Sequence, residues 1–65
     1  MINGILIKEL REKKGLSQEQ LAKLCGYSDK SAISRIENGL YTDLPLLKAV
    51  KIAKELGTTP TALIK

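Results

Sequence analysis

The sequence predicts an all-α fold, a compact single domain of five short helices over residues 1–65. Apolar residues return at spacings of three and four along most of the chain, which is the period of a helix with one buried face. Glycines that end helices, and serine, threonine and proline residues that begin them, divide the chain into five such stretches. At 65 residues the chain has room for one hydrophobic core.

The first two helices are predicted at residues 3–14 and 17–25. Two lysines followed by Gly15 favour the end of the first helix, and Gly26 ends the second. Ser17 and Gln20 have the spacing of a capping box, in which each side chain bonds to the backbone amide of the other residue. The residues expected to face inward are Leu6, Ile7 and Leu10 in the first helix and Leu21, Ala22, Leu24 and Cys25 in the second.

The third helix is predicted to begin at a cap provided by Ser28 or Asp29 and to end at Asn38 and Gly39. Its buried stripe is expected to consist of Ala32, Ile33 and Ile36. The opposite face carries a polar row of Lys30, Ser31, Ser34, Arg35 and Asn38.

A loop over residues 40–43 is predicted to lead into the fourth helix. Pro45 is expected at its first position, because a proline there loses no helical hydrogen bond. Gly57 ends this helix, and Thr59 with Pro60 begins a fifth short helix that runs through Ile64. The apolar face of the fourth helix comprises Leu46, Ala49, Val50, Ile52, Ala53 and Leu56, and a solvated face carries Lys48, Lys51 and Lys54.

Residues 15–39 place two short helices on either side of a glycine turn, which is the arrangement of a helix-turn-helix. A helix is roughly 10–12 Å across and the major groove of DNA is about 12 Å wide, so the polar row can meet base edges. Ala22 is expected where two helices cross closely, and Gly26 supplies the turn. The pattern predicts a domain that reads double-stranded DNA.

The composition argues against several other functions. A net charge of +4 favours polyanions, although many proteins with this charge never bind one. With one cysteine and no histidine, no disulfide, metal site or other cofactor is expected, and Cys25 is interpreted as a buried apolar residue. No residues suit general acid–base catalysis, so neither an enzyme nor a small-molecule substrate is expected. No apolar run could cross a bilayer, so we expect no membrane association and a cytoplasmic location.

The segments IKELREKKGLSQEQLA, SAISRIENG and KIAKELG, in that order, resemble the Cro and phage-repressor (XRE) family of helix-turn-helix proteins. The resemblance covers nearly the whole chain and implies the five-helix fold of lambda repressor. Between Gly26 and Ile33 this chain has one residue more than the commonest form of the family. At the start of the third helix, Asp29, Lys30 and Ser31 therefore remain alternatives for the residue that meets the bases.

The polar row and its surroundings provide the candidate DNA contacts. A guanidinium fits guanine O6 and N7, so Arg35 is expected at a base, and the alternative is a surface arginine paired with Asp29 or with a phosphate. The full set of expected base contacts is Lys30, Ser31, Ser34 and Arg35. The expected phosphate contacts are Gln18, Ser28, Asn38 and Tyr41. For Gln18, and for Asn38 with the loop around Tyr41, this role is implied by the resemblance to the family. The alternative for Gln18 is a glutamine that only contacts solvent, and the alternative for Tyr41 is packing against the fold. Asp29 is expected to cap the helix, and its alternative role is to accept a hydrogen bond from a cytosine amine.

Two further expectations concern packing and assembly. The resemblance implies a structural ion pair between Arg11 and Glu37, which join the first and third helices. A homodimer is expected, because helix-turn-helix proteins read two half-sites about 34 Å apart. Its surface is expected among Ile2, Ile5, Leu6 and Leu47, whose alternative role is to cover the core.

These features predict a sequence-specific transcriptional regulator, expected to be a repressor, whose partner is a double-stranded DNA operator. The alternative is a protein-interaction module on the same fold, such as an antitoxin or anti-repressor. In that module the exposed apolar residues near the N-terminus, rather than Arg35, would carry the affinity.

Overall fold

The computed structural model describes residues 2–41 and 44–64, and helices account for most of them. Four α-helices run over Gly4–Lys13 (α1), Gln18–Leu24 (α2), Ser31–Glu37 (α3) and Leu46–Leu56 (α4). A single 3-10 turn follows at Pro60–Leu63. Thr42 and Asp43, which belong to the predicted loop, lie outside the described residues. Within the described residues, β-pairing is limited to one isolated antiparallel bridge between Ile2 and Ile64.

The prediction of five helices is not confirmed, because the predicted fifth helix is a single 3-10 turn. Thr59 caps this turn, with its hydroxyl accepting from the amide of Ala62 at 3.3 Å. Ile64 then adopts an extended conformation and pairs with Ile2, so the turn cannot continue as an α-helix. The amide of Asn3 donates to the carbonyl of Leu63 at 2.7 Å in the same pairing. The two ends of the described chain are thereby joined.

The predicted capping box at the start of α2 is confirmed. The Ser17 hydroxyl accepts from the Gln20 amide at 3.0 Å, and the Gln20 side chain accepts from the Ser17 amide at 2.8 Å. Helix α1 has a comparable cap that the sequence reading missed, since the Asn3 side chain accepts from the Leu6 amide at 3.2 Å. Pro45 precedes α4 by one residue instead of occupying its first position.

Each of the four α-helices ends at a glycine, as predicted, with the backbone bonds of a Schellman motif. In α2 the amide of Tyr27 donates to the Ala22 carbonyl and the amide of Gly26 donates to the Lys23 carbonyl. Gly26 has a φ of 84°, a conformation that residues with a Cβ rarely adopt. The turn after α2 therefore depends on this glycine.

The core contains most of the predicted apolar residues, with three corrections on α2 and α4. Leu24, Leu46 and Val50 were expected to face inward but are exposed. They lie at the edges of the apolar stripes, and no other helix covers them. The fully buried side chains include Ile7, Leu21, Ala22, Ile33, Ile36 and Ile52.

Helix α3 packs against α1 and α2, whereas the 3-10 turn packs against α4 and α1. At the α1–α3 crossing, a Cβ built on Gly4 would lie within 2.4 Å of the Ile36 carbonyl oxygen. Only glycine fits this contact without a shift of the backbone. None of the described helices is long and apolar enough to span a bilayer.

Candidate nucleic-acid interface

The outer face of α3 carries the polar row that the sequence predicts. Ser31, Arg35 and Asn38 are exposed and Ser34 is half-buried, while Ile33 and Ile36 on the opposite face have no exposed surface. The Asn38 amide donates to the Ser34 hydroxyl at 3.4 Å, which aligns the two side chains along the helix. A continuous polar strip of hydrogen-bonding groups therefore lies opposite the core.

The approach to α3 is exposed from Ser28 to Lys30. Lys30 occupies the N-cap position without a side-chain capping bond. Instead, the Asp29 carboxylate accepts from the Ser31 amide at 2.8 Å. Of the two predicted caps, Ser28 and Asp29, it is therefore Asp29 that makes the capping bond. Hydrogen bonds from the Ser31 backbone and side chain lower the pKa of Asp29 below its ordinary value. Asp29 thus holds the first turn of α3.

An open cleft of about 390 Å³ lies between the starts of α2 and α3. It brings Gln18 and Lys30, two of the predicted DNA contacts, to the same depression of the surface. Glu19 also lines the cleft, and its carboxylate would repel a phosphate that came close to it. The cleft therefore has mixed charge.

The predicted ion pair between Arg11 and Glu37 is present and mostly buried. Arg11 Nε lies 2.7 Å from Glu37 Oε2 and Nη2 lies 3.2 Å from Oε1. The two side chains are only 10% and 2% exposed. Hydrogen bonding to Glu37 raises the pKa of Arg11 above its ordinary value.

Further contacts extend this pair to α2 and to the turn before it. The Gln18 side-chain amide donates to Glu37 Oε1 at 3.0 Å, and Arg11 Nη1 donates to the Leu16 carbonyl at 2.8 Å. The sequence reading missed the bond from Gln18, because nothing in the local pattern at residue 18 points to residue 37. The network joins α1, α2 and α3 beside the cleft.

Tyr41 follows the end of α3 and does not line the cleft. Its side chain is exposed at the edge of two shallow grooves, one of which is lined by Ile5 and Asn38 and the other by Tyr27 and Lys48. Of the predicted phosphate contacts, Asn38 and Tyr41 therefore share one groove at the end of α3, while Gln18, the first residue of α2, lines the separate cleft.

Lys48 was predicted to be solvated, and this was wrong. Its ammonium donates to the Cys25 carbonyl at 3.2 Å and lies 4.5 Å from the centre of the Tyr27 ring. The spacing of lysines on α4 gave no sign of this contact, because it depends on how α4 packs against the end of α2.

No metal site is formed within the described residues, where no three His, Cys, Asp or Glu side chains are grouped. Cys25 is buried, and desolvation raises the pKa of its thiol. This environment favours the uncharged, unreactive form of the thiol.

A sequence model of the helix-turn-helix family matches residues 7–63 of the chain. Among solved structures, SinR of Bacillus subtilis in its complex with SinI is 31% identical, with a TM-score of 0.86. That match covers 98% of this chain and 61% of the SinR chain, so this chain spans less than two thirds of that protein. SinR in complex with DNA is 32% identical, with a TM-score of 0.84 and coverage of 95% of this chain and 97% of that chain.

Two other regulators are also similar. The restriction-modification controller protein C.AhdI of Aeromonas hydrophila is 39% identical, with a TM-score of 0.81 and coverage of 94% of this chain and 89% of that chain. The P22 c2 repressor, solved with a synthetic operator, is 26% identical, with a TM-score of 0.88 and coverage of 100% of this chain and 96% of that chain. No curated protein matches in sequence.

The fold also occurs within an enzyme, hydroxypropylphosphonic acid epoxidase of S. wedmorenis. That match is 32% identical, with a TM-score of 0.83, and covers 95% of this chain but only 32% of the enzyme. Most of the enzyme therefore has no counterpart here.

Proposed function

This chain belongs to the helix-turn-helix family, and on that premise we propose that it is a sequence-specific DNA-binding transcriptional regulator, acting as a repressor that occupies an operator. The observation that carries the proposal is the continuous polar strip on α3, opposite the buried Ile33 and Ile36. Both SinR and the P22 c2 repressor, with which the chain shares its fold, were solved with DNA. The strip has the width and the groups needed to enter a major groove.

In this proposal α3 reads bases through Lys30, Ser31, Ser34 and Arg35. Arg35 contributes most to the sequence specificity, because its guanidinium can donate two parallel hydrogen bonds to one guanine, whereas serines discriminate weakly between bases. Gln18 contacts a phosphate from the start of α2 and Ser28 contacts one from the turn before α3, while Asn38 and Tyr41 contact phosphates beyond the end of α3. Phosphate contacts at both ends of α3 would fix its register in the groove.

Replacing Arg35 with alanine is expected to weaken binding to the selected operator by roughly tenfold to a hundredfold, the cost of one bidentate base contact. Selection of duplexes from a random pool supplies the operator, and fluorescence anisotropy at several salt concentrations measures the affinity. The matched control is Lys51→Ala, which removes a positive charge from an exposed site on α4.

Equal losses for the two variants would leave only nonspecific attraction to DNA and would contradict the proposal. A loss for Arg35→Ala that is uniform over all sequences, with a salt slope lower by about one, would move Arg35 from a base to a phosphate. A selected pool without any preferred sequence would also count against a sequence-specific regulator.

The proposal includes a homodimer whose two copies meet through α4. Leu46 and Leu47 are 73% and 83% exposed, and Val50 extends the same patch one turn further. These three side chains form a ridge on α4. Beside the ridge lies an apolar groove of about 340 Å³ between α4 and the 3-10 turn, lined in part by Pro60 and Ile64. Under a twofold axis, the ridge of one copy would enter the groove of the other.

The position of this face supports a second copy as its occupant. Helix α3 packs on α1 and α2, away from the 3-10 turn, so pairing through α4 leaves both polar strips open. The domain measures 23 × 21 × 20 Å, so two strips facing away from the contact would be separated by more than one domain width, as half-sites about 34 Å apart require. Of the residues first expected at the dimer surface, Ile2 is instead part of the core and Leu6 packs against it.

The dimer is expected to be weak in solution. A standard interface of about 800 Å² per partner would take about a fifth of the chain's 4170 Å² surface, whereas the exposed patch on α4 consists of the three side chains Leu46, Leu47 and Val50. Leu47→Lys should raise the dissociation constant of the dimer at least about tenfold, because it buries a charge. Sedimentation equilibrium measures this effect. Ile5→Lys, at a similarly exposed apolar residue on α1, is the control, and the reverse result would place the interface on α1.

A further inference from the structure

One ammonium group contacts the two residues on either side of Gly26 at the end of α2. The Nζ atom of Lys48 lies 3.2 Å from the Cys25 carbonyl and 4.5 Å from the centre of the Tyr27 ring. Between them, a Cβ built on Gly26 would lie 3.4 Å from the same nitrogen. Lys48 is on α4, so a helix outside the helix-turn-helix holds the turn within it.

Each of these contacts has a physical reason. The Schellman bonds at this end of α2 use the carbonyls of Ala22 and Lys23 and leave that of Cys25 without an intrahelical donor. A cation is favoured there because the negative end of the helix dipole lies at this terminus. The face of the Tyr27 ring attracts the same cation. The ammonium therefore stabilises the turn through both an orphan carbonyl and an aromatic ring.

The turn held by Lys48 leads directly into α3. Residues 25–30 separate α2 from α3, a longer connection than the three or four residues typical of a helix-turn-helix. The part of this connection nearest α3, from Ser28 to Lys30, is exposed. The connection therefore has its tertiary anchor at its α2 end, where the Lys48 ammonium lies.

We infer that Lys48 is a positioning residue for DNA recognition: by its contacts with Cys25 and Tyr27 it holds the turn at Gly26 and so sets how α3 is presented to the groove. This inference rests on the proposed function, since it concerns the affinity of α3 for an operator. Its opposite is that Lys48 acts, like any exposed lysine, by attracting phosphate directly. The two roles differ in their salt dependence, because only a direct phosphate contact changes the number of counterions released.

The test compares Lys48→Met, which keeps the length of the side chain but removes the cation, with Lys51→Met, which removes the same charge one turn away. Anisotropy titrations on the selected operator at four salt concentrations give affinity and salt slope. We expect Lys48→Met to bind about fivefold more weakly than Lys51→Met at every salt concentration, with the same slope. Lys48→Arg, which keeps both the donor and the cation, should restore most of the affinity.

Amide hydrogen exchange supplies a readout independent of DNA. The Tyr27 amide donates to the Ala22 carbonyl at 2.8 Å, and its exchange should be faster in Lys48→Met but unchanged in Lys51→Met. If Lys48→Met is poorly folded, Tyr27→Leu replaces it, and removal of the ring should then weaken operator binding in the same way.

Equal affinities for Lys48→Met and Lys51→Met would overturn the inference, as would a salt slope lower by about one for Lys48→Met alone. These results differ from a failure of the proposed function, in which the unaltered protein itself would show no preference for any duplex.

Discussion

Replacing Arg11 with methionine is expected to lower the free energy of unfolding by about 3–5 kcal/mol, because it leaves the buried Glu37 carboxylate without its partner. The Glu37 side chain is only 2% exposed and accepts two bonds from the Arg11 guanidinium, its cationic partner, besides one from the neutral Gln18 amide. A domain of 65 residues is typically stable by only about 3–10 kcal/mol, so the variant should be partly unfolded at room temperature. Urea denaturation followed by circular dichroism measures the change.

A double variant separates the stranded charge from the loss of packing. Arg11→Met combined with Glu37→Leu should recover at least about half of the lost stability, because replacing both members of a buried pair costs far less than removing one. Lys13→Met, an exposed change on the same helix, is the control and should have little effect. A double variant no more stable than Arg11→Met would show that the charge of Glu37 is not the cause.

Replacing Gly4 with alanine is expected to destabilise the fold by roughly 1–3 kcal/mol or more, the usual cost of overpacking a tight contact. The new Cβ would meet the carbonyl oxygens of Ile36 and Glu37 at 2.4 and 2.8 Å, and backbone atoms cannot move aside as a flexible side chain can. Helix propensity alone predicts the opposite sign, because alanine is favoured over glycine within a helix by about 1 kcal/mol. The sign of the measured change in stability therefore shows whether the steric clash at the α1–α3 crossing or the helix propensity of alanine dominates.

Gly15→Ala provides the comparison for Gly4→Ala. Gly15 has a φ of 72° and open space around its Cβ position, so the cost there comes from backbone conformation alone, roughly 1 kcal/mol. Thermal and urea unfolding of both variants give the two costs. A Gly4→Ala protein as stable as the unaltered chain would mean that α1 and α3 can separate freely, and that their crossing does not depend on glycine.

The Arg11–Glu37 network bears on recognition as well as stability. Glu37 is the last residue of α3, and Gln18 is the first residue of α2. Through the bond from Gln18 to Glu37, the two helices of the helix-turn-helix are tied at the end opposite the turn that Lys48 holds. We expect the relative orientation of α2 and α3 to depend on both ties.

Local patterns predicted the parts of the fold that depend on neighbouring residues. The Ser17 capping box, the glycine stop after each α-helix and the polar row on α3 follow from spacings of a few residues, and all are present. The Arg11–Glu37 pair was also expected, but from family resemblance, since 26 residues separate its members. At the last helix, Thr59 and Pro60 correctly marked the start, but local signals did not show that the segment is a 3-10 turn or that Ile64 leaves it to pair with Ile2.

The sequence by itself determined that the chain is helical, where its helices end, and that a polar strip on α3 faces away from the core. Those features depend on side-chain period and on residues with special backbone freedom, which are local properties. Only the tertiary structure decided that Gly4 lies at the α1–α3 crossing and that the side chains of Leu46 and Leu47 are exposed. It also decided that Lys48 donates a hydrogen bond to the turn before α3. These depend on the approach of segments distant in sequence, which no local spacing encodes.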